Sequence, residues 1–117
     1  IESMWAVSQW SGDFNPFHIH EGQLSGVCYL RVPPSLPAEY AKEDHYPTVG
    51  DICWFNGQAA TFSGHKHQES PKVGDIFLFP NWLAHGVYPF RTPNEERRSV
   101  SFNLHLIKKD QETFTQI

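Results

Sequence analysis

Cysteine is scarce in this chain: only Cys28 and Cys53 occur, each inside a strand-like run. A disulfide framework and a cysteine-rich zinc module are thereby excluded, and two buried free thiols in an intracellular protein are expected. Charge is also sparse, with 19% Asp, Glu, Lys and Arg and a formal net charge of −4, which leaves no basic footprint for nucleic acid or an anionic membrane. No apolar run reaches the roughly 18 residues of a membrane-spanning helix. The opening residues, Ile1-Glu2-Ser3-Met4-Trp5, lack the basic and apolar regions of a secretory signal, so a cytoplasmic location is expected. Long amphipathic periodicity, repeats and linkers are missing as well, and the 117 residues are expected to form one domain.

What is present is turn-formers and rings. Nine prolines, eight glycines and 15% aromatics separate short apolar runs, the pattern of an all-β protein. Strands are expected over residues 4–10, 23–32, 51–55, 59–62, 75–79, 83–88 and 97–107, with Asn56-Gly57 closing a tight hairpin between the third and fourth. Residues 33–50, with four prolines, read as a surface excursion and a candidate lid, and 108–117 as a polar tail. About eight short antiparallel strands suit a jelly roll, the double-stranded β-helix. An immunoglobulin-like sandwich fits the count equally, and only the placement of candidate ligands on distant strands favours the jelly roll.

Those candidates are histidines. In Gly12-Asp13-Phe14-Asn15-Pro16-Phe17-His18-Ile19-His20, the alternation of an extended chain sends both imidazoles to one side. His85, at the end of the segment beginning Gly74-Asp75, is the third candidate, and His18, His20 and His85 together read as a catalytic metal site. A second pair, His65-Lys66-His67, lies in a polar stretch and reads as a solvated loop; His45 and His105 receive no role. On the last strand, alternation puts Arg97, Ser99, Ser101, Asn103 and His105 on one face and Arg98, Val100, Phe102, Leu104 and Leu106 on the other.

In order along the chain stand Asn15-Pro16-Phe17-His18-Ile19-His20, Ser25-Gly26-Val27-Cys28-Tyr29-Leu30, Gly74 through Phe79-Pro80, His85-Gly86-Val87 and Arg97-Arg98-Ser99-Val100-Ser101-Phe102-Asn103. This series resembles the double-stranded β-helix oxygenases that use iron(II) and 2-oxoglutarate, in the small prolyl-hydroxylase-like branch of bacteria and phages. The resemblance covers about residues 5–107. It implies a dioxygenase that couples oxidative decarboxylation of 2-oxoglutarate to hydroxylation of a C–H bond in a small molecule or peptidyl residue. His18 and His85 would be metal ligands, with His20 where the wider superfamily has a carboxylate; Glu21 and Asp13 stay open as alternative third ligands. Arg97 would grip the distal carboxylate of 2-oxoglutarate, with Arg98 as the alternative, aided by the Tyr29 hydroxyl and by Ser99 on the Arg97 face.

Two rivals remain. The histidine segments also resemble the two cupin motifs, which would give a three-histidine dioxygenase that does not use 2-oxoglutarate and leaves Arg97 and Tyr29 without a task. A non-catalytic jelly-roll binding module is the other. The substrate is not encoded legibly; residues 33–50 and 63–71, with Trp54, Trp82, Tyr88 and Phe90, are candidates to shape its pocket. A homodimer through a sheet face is a further expectation.

Overall fold

The computed structural model describes residues 1–108. Eight strands and one short helix follow in the order β1 (Ser3–Gln9), β2 (Asn15–His18), β3 (Leu24–Arg31), α1 (Leu36–Tyr40), β4 (Ile52–Phe55), β5 (Lys66–Glu69), β6 (Ile76–Pro80), β7 (Ala84–Val87) and β8 (Arg97–Leu104). They form two four-stranded sheets, ordered β1-β8-β3-β6 and β2-β7-β4-β5, in which every pairing is antiparallel. This is the jelly roll, and the sandwich interior holds one apolar cluster of Val27, Tyr29, Ile52, Trp54, Phe79 and Val87.

The inward face of each strand follows from alternation. On β4, Ile52 and Trp54 point into the cluster. On β8 the inward residues Arg97, Ser99 and Asn103 are polar and buried, while Arg98 is exposed. A strand that buries its polar face marks a sandwich built around a polar cavity rather than a dry core. On the outer face of the first sheet, Met4, Ile76 and Leu78 stand exposed. Phe102 there lies over Gly26, where an added Cβ would come within 2.2 Å of the ring.

Three expectations need correction. Asn56-Gly57 does not close a two-residue hairpin: β4 pairs with β5, Ile52 opposite Glu69 and Phe55 opposite Lys66, and Asn56 N–H donates to His65 O at 2.8 Å. Residues 59–62 form no strand, and within 56–65 only an isolated bridge joins Ala60 to Ser63. The polar segment that read as loop is the strand instead, because β5 is an edge with a single neighbour and needs no apolar alternation.

The excursion over 33–50 is not a lid over the histidines either. Leu36 packs with Val49 and Phe90 in a second small cluster, and the excursion lies under the Arg97 end of the sandwich, where Gly50 O accepts a hydrogen bond from Arg97 Nη1. The expected tail over 108–117 falls outside the described residues from position 109 on. Among the described residues no helix is long and apolar enough to cross a membrane. Both cysteines are free; Cys53 is fully buried, and burial pushes its thiol up to about 11.

Gly50 is the tightest point of this arrangement. Its φ is +71°, and an added Cβ would meet the Leu36 methyls at 2.8 and 2.9 Å. Gly50→Ala is expected to cost on the order of 2 kcal/mol, from the left-handed backbone and the overpacked leucine together. A lower urea midpoint at unchanged m-value is the measurement that checks it.

Candidate metal and co-substrate site

Strand register assembles the site. β2 and β7 pair so that His18 lies directly opposite His85, with an irregularity between Asn15 and His18 that re-aims the strand end. His20 sits beyond the end of β2, held by its backbone: His20 N–H donates to Asn81 O at 3.1 Å, and Asn81 Nδ2 donates to His20 O at 3.2 Å. The result is a triangle of imidazoles with ring centroids 4.3 to 4.8 Å apart. One ligand nitrogen from each of His18, His20 and His85 lies within 4.8 Å of the others.

Two of the tautomers are fixed by backbone carbonyls, which only accept. His18 Nδ1–H donates to Pro16 O at 2.6 Å and His85 Nδ1–H to Leu83 O at 3.0 Å, so each ring turns its Nε2 to the centre. His85 Nε2 lies 2.9 Å from His20 Nε2. This is a hydrogen-bond distance between the two rings, and it is close to the separation of about 3.0 Å between two nitrogens each about 2.1 Å from one ion at right angles. The donor set therefore fits a divalent transition metal with positions to spare.

Burial disfavours the charged form of two of these rings. It pulls His85 down to about 4 and lowers His20 as well, with His18 adding to both shifts. Phe79 packs on His85 at 4.5 Å and Trp5 flanks His20 at 5.8 Å between ring centroids.

From the histidines a cavity of about 60 Å³ runs inward between the sheets. Its apolar wall is Val7, Val27, Ile52, Phe79 and Val87, and its polar wall Gln9, Asn15, Tyr29, Ser99 and Ser101. Beyond Gln9 lies the Arg97 guanidinium, 1% exposed, with Cζ 6.0 Å from the centre of the Tyr29 ring. Arg97 donates to Gln9 Oε1 through Nε at 3.1 Å and Nη2 at 2.9 Å, and to Gly50 O through Nη1. Among the described residues no carboxylate stands within ion-pair distance of it. Asp51 is the acid that bears on Arg97, and its oxygens are taken by Gln68 and Ser70. Burial pushes the Tyr29 hydroxyl up to about 12, leaving it a protonated donor at neutral pH.

Of the residues singled out by sequence, the structure brings together His18, His20 and His85 at one end and Arg97, Tyr29 and Ser99 at the other. Arg98 points outward, bound to Glu96 at 2.8 and 3.0 Å. Glu21 is exposed and outside the histidine cluster, and Asp13 caps its own turn by accepting from Trp10 N–H at 2.8 Å. Phe90 and Trp54 are core, Trp82 is exposed, and Tyr88 packs with Phe14 and Phe17. Gln9, Asn15 and Trp5 were missed; alternation along β1, which puts Trp5, Val7 and Gln9 on one face, was the signal that identifies two of them.

The depressed His85 has a consequence for the metal-free protein. The unfolded chain takes up a proton near 6.5 that folded His85 refuses until about 4. Between those values the unfolded state binds more protons, so stability is full above the window and falls as pH falls through it. Thermal midpoints in chelator are expected to drop over this range, with a shallower slope in His85→Gln.

Comparison with known proteins agrees with this geometry. No curated protein matches the chain, but residues 3–103 match the sequence family described as "Putative 2OG-Fe(II) oxygenase". That span takes in every strand from the start of β1 to Asn103 on β8. With its jelly roll, its three converging histidines and a match over most of its length, the chain belongs to the 2OG-Fe(II) oxygenase family.

Proposed function

We propose that this protein is an iron(II)- and 2-oxoglutarate-dependent dioxygenase that hydroxylates a C–H bond of a small molecule or peptidyl residue, with His18, His20 and His85 as metal ligands and Arg97, Tyr29 and Ser99 as the co-substrate site. The observation that carries the reading is the buried Arg97 guanidinium, with no carboxylate at ion-pair distance among the described residues, at the inner end of a cavity whose outer end is three clustered imidazoles. A buried charge without a counter-ion is destabilising, and a dicarboxylate reaching inward from the metal would supply one.

Iron and the keto acid, when bound, supply the oxidative chemistry that activates dioxygen. The chain supplies the rest. Pro16 O and Leu83 O hold the His18 and His85 rings so that their Nε2 atoms face inward. Three imidazoles leave the metal its full positive charge, which strengthens its hold on an anionic chelator. Arg97 offers a planar fork matched to a carboxylate, and Tyr29 offers a hydroxyl proton. Val7, Val27, Ile52, Phe79 and Val87 form the apolar side of the passage between the two ends. The same reading takes the chain as one domain in the cytoplasm, in keeping with its two free thiols. It allows a homodimer through the exposed apolar outer face of the first sheet.

Anaerobic titration of the iron(II)-loaded protein with 2-oxoglutarate tests the proposal. A weak visible charge-transfer band, which requires the keto acid to chelate the metal, is expected in the wild type. Arg97→Ala should weaken keto-acid affinity roughly 100-fold, the cost of removing one partner of a buried charged pair. His18→Ala and His85→Ala should each weaken metal binding beyond the roughly 10–100-fold of a lost outer-shell contact. Iron binding with no band at any keto-acid concentration would remove the 2-oxoglutarate mechanism and leave a three-histidine cupin dioxygenase.

A further inference from the structure

We propose that Gln9 is a positioning residue of the co-substrate end: its amide oxygen stands in for a carboxylate on Arg97 and yields the fork when the distal carboxylate of the keto acid arrives. This inference rests on the functional reading above and adds a residue which that reading does not use.

Gln9 and Arg97 are direct partners across the β1–β8 register. A single oxygen, Gln9 Oε1, accepts from both Nε and Nη2, the edge of the guanidinium that a carboxylate would occupy. Gln9 lines the cavity and the Arg97 guanidinium lies behind it, so the amide separates the arginine from any ligand coming from the histidines. The remaining space is small, about 60 Å³, and the Gln9 amide itself occupies the Nε/Nη2 edge of the guanidinium. A diacid that reaches Arg97 must therefore displace the Gln9 side chain.

The choice of an amide is what makes this work. An amide oxygen satisfies the fork's geometry but carries no charge, so the guanidinium is held flat and in place while its attraction for an anion is left intact. A carboxylate at position 9 would neutralise it. When Gln9 rotates away, Gly50 O on Nη1 still holds the other side of the fork, and the Gln9 amide N–H₂ is free to donate to the newly bound carboxylate.

The test is calorimetric titration of manganese(II)-loaded protein, which is redox-silent, with 2-oxoglutarate and separately with pyruvate, a keto acid lacking the distal carboxylate. In Gln9→Glu the internal carboxylate should capture Arg97. The 2-oxoglutarate affinity is expected to fall by about 30-fold or more, with pyruvate and manganese affinities within about twofold of wild type and a melting temperature no lower. Gln9→Asn, one methylene short of the fork, should lose about tenfold for 2-oxoglutarate alone. Wild-type affinity for 2-oxoglutarate in both variants would overturn the role of Gln9 and leave the oxygenase reading standing. A parallel loss of pyruvate and metal binding would also overturn it, by showing a general structural defect. A wild type that binds neither keto acid would overturn the functional reading and this inference with it.

Discussion

Two cross-strand partnerships hold everything else in place. His18 faces His85 across β2 and β7 in one sheet, and Gln9 faces Arg97 across β1 and β8 in the other. Because side chains alternate along a strand, a slip of one residue in either ladder would send a ligand or the guanidinium to the outer face. The site is therefore specified by register more than by local conformation. The apolar cluster between the sheets, with Ile52 and Val87 themselves register partners, sets the separation of its two ends.

Such an interior is costly for a protein of this size. Arg97, Ser99, Asn103, Asp51 and Gln9 are all buried polar side chains, whose desolvation their hydrogen bonds only partly offset. Burial raises the Asp51 carboxyl even though Ser70 and Gln68 donate to it. Asn103 Oδ1, Ser25 Oγ and Trp54 Nε1 are buried among the described residues without a hydrogen-bond partner. Binding of a diacid and a metal would offset part of this cost, so the liganded protein should be the more stable form.

Much of this was legible in the chain. Alternation separated the two faces of β8, the resemblance picked the polar one as inward, and the histidine pair with a distant third pointed to the three residues that cluster in the fold. Alternation put Arg97 and Arg98 on opposite faces but did not choose between them; the structure buries Arg97 and leaves Arg98 exposed. Gln9 was not found because a glutamine in an apolar strand carries no motif; its meaning comes from its partner, almost ninety positions away, and sequence order does not reveal register. The β4–β5 loop was misread for a related reason. Gly57 does adopt a left-handed conformation, but within a longer loop, and an edge strand such as β5 has no apolar pattern to advertise it.

The order of strands also governs how the molecule comes to be. Among the described residues β8 is the last strand; it lies between β1, the first, and β3, and β1 has no other neighbour in its sheet. During synthesis at roughly 5–20 residues per second, β1 must wait with both edges unsatisfied until the final strand emerges. Closure then joins β1 to β8 across most of the described sequence, a high-contact-order step of the kind that makes all-β proteins slow to fold. Arg97 enters with that strand, so a nascent chain carries His18, His20 and His85 together before the guanidinium at the other end of the cavity joins them.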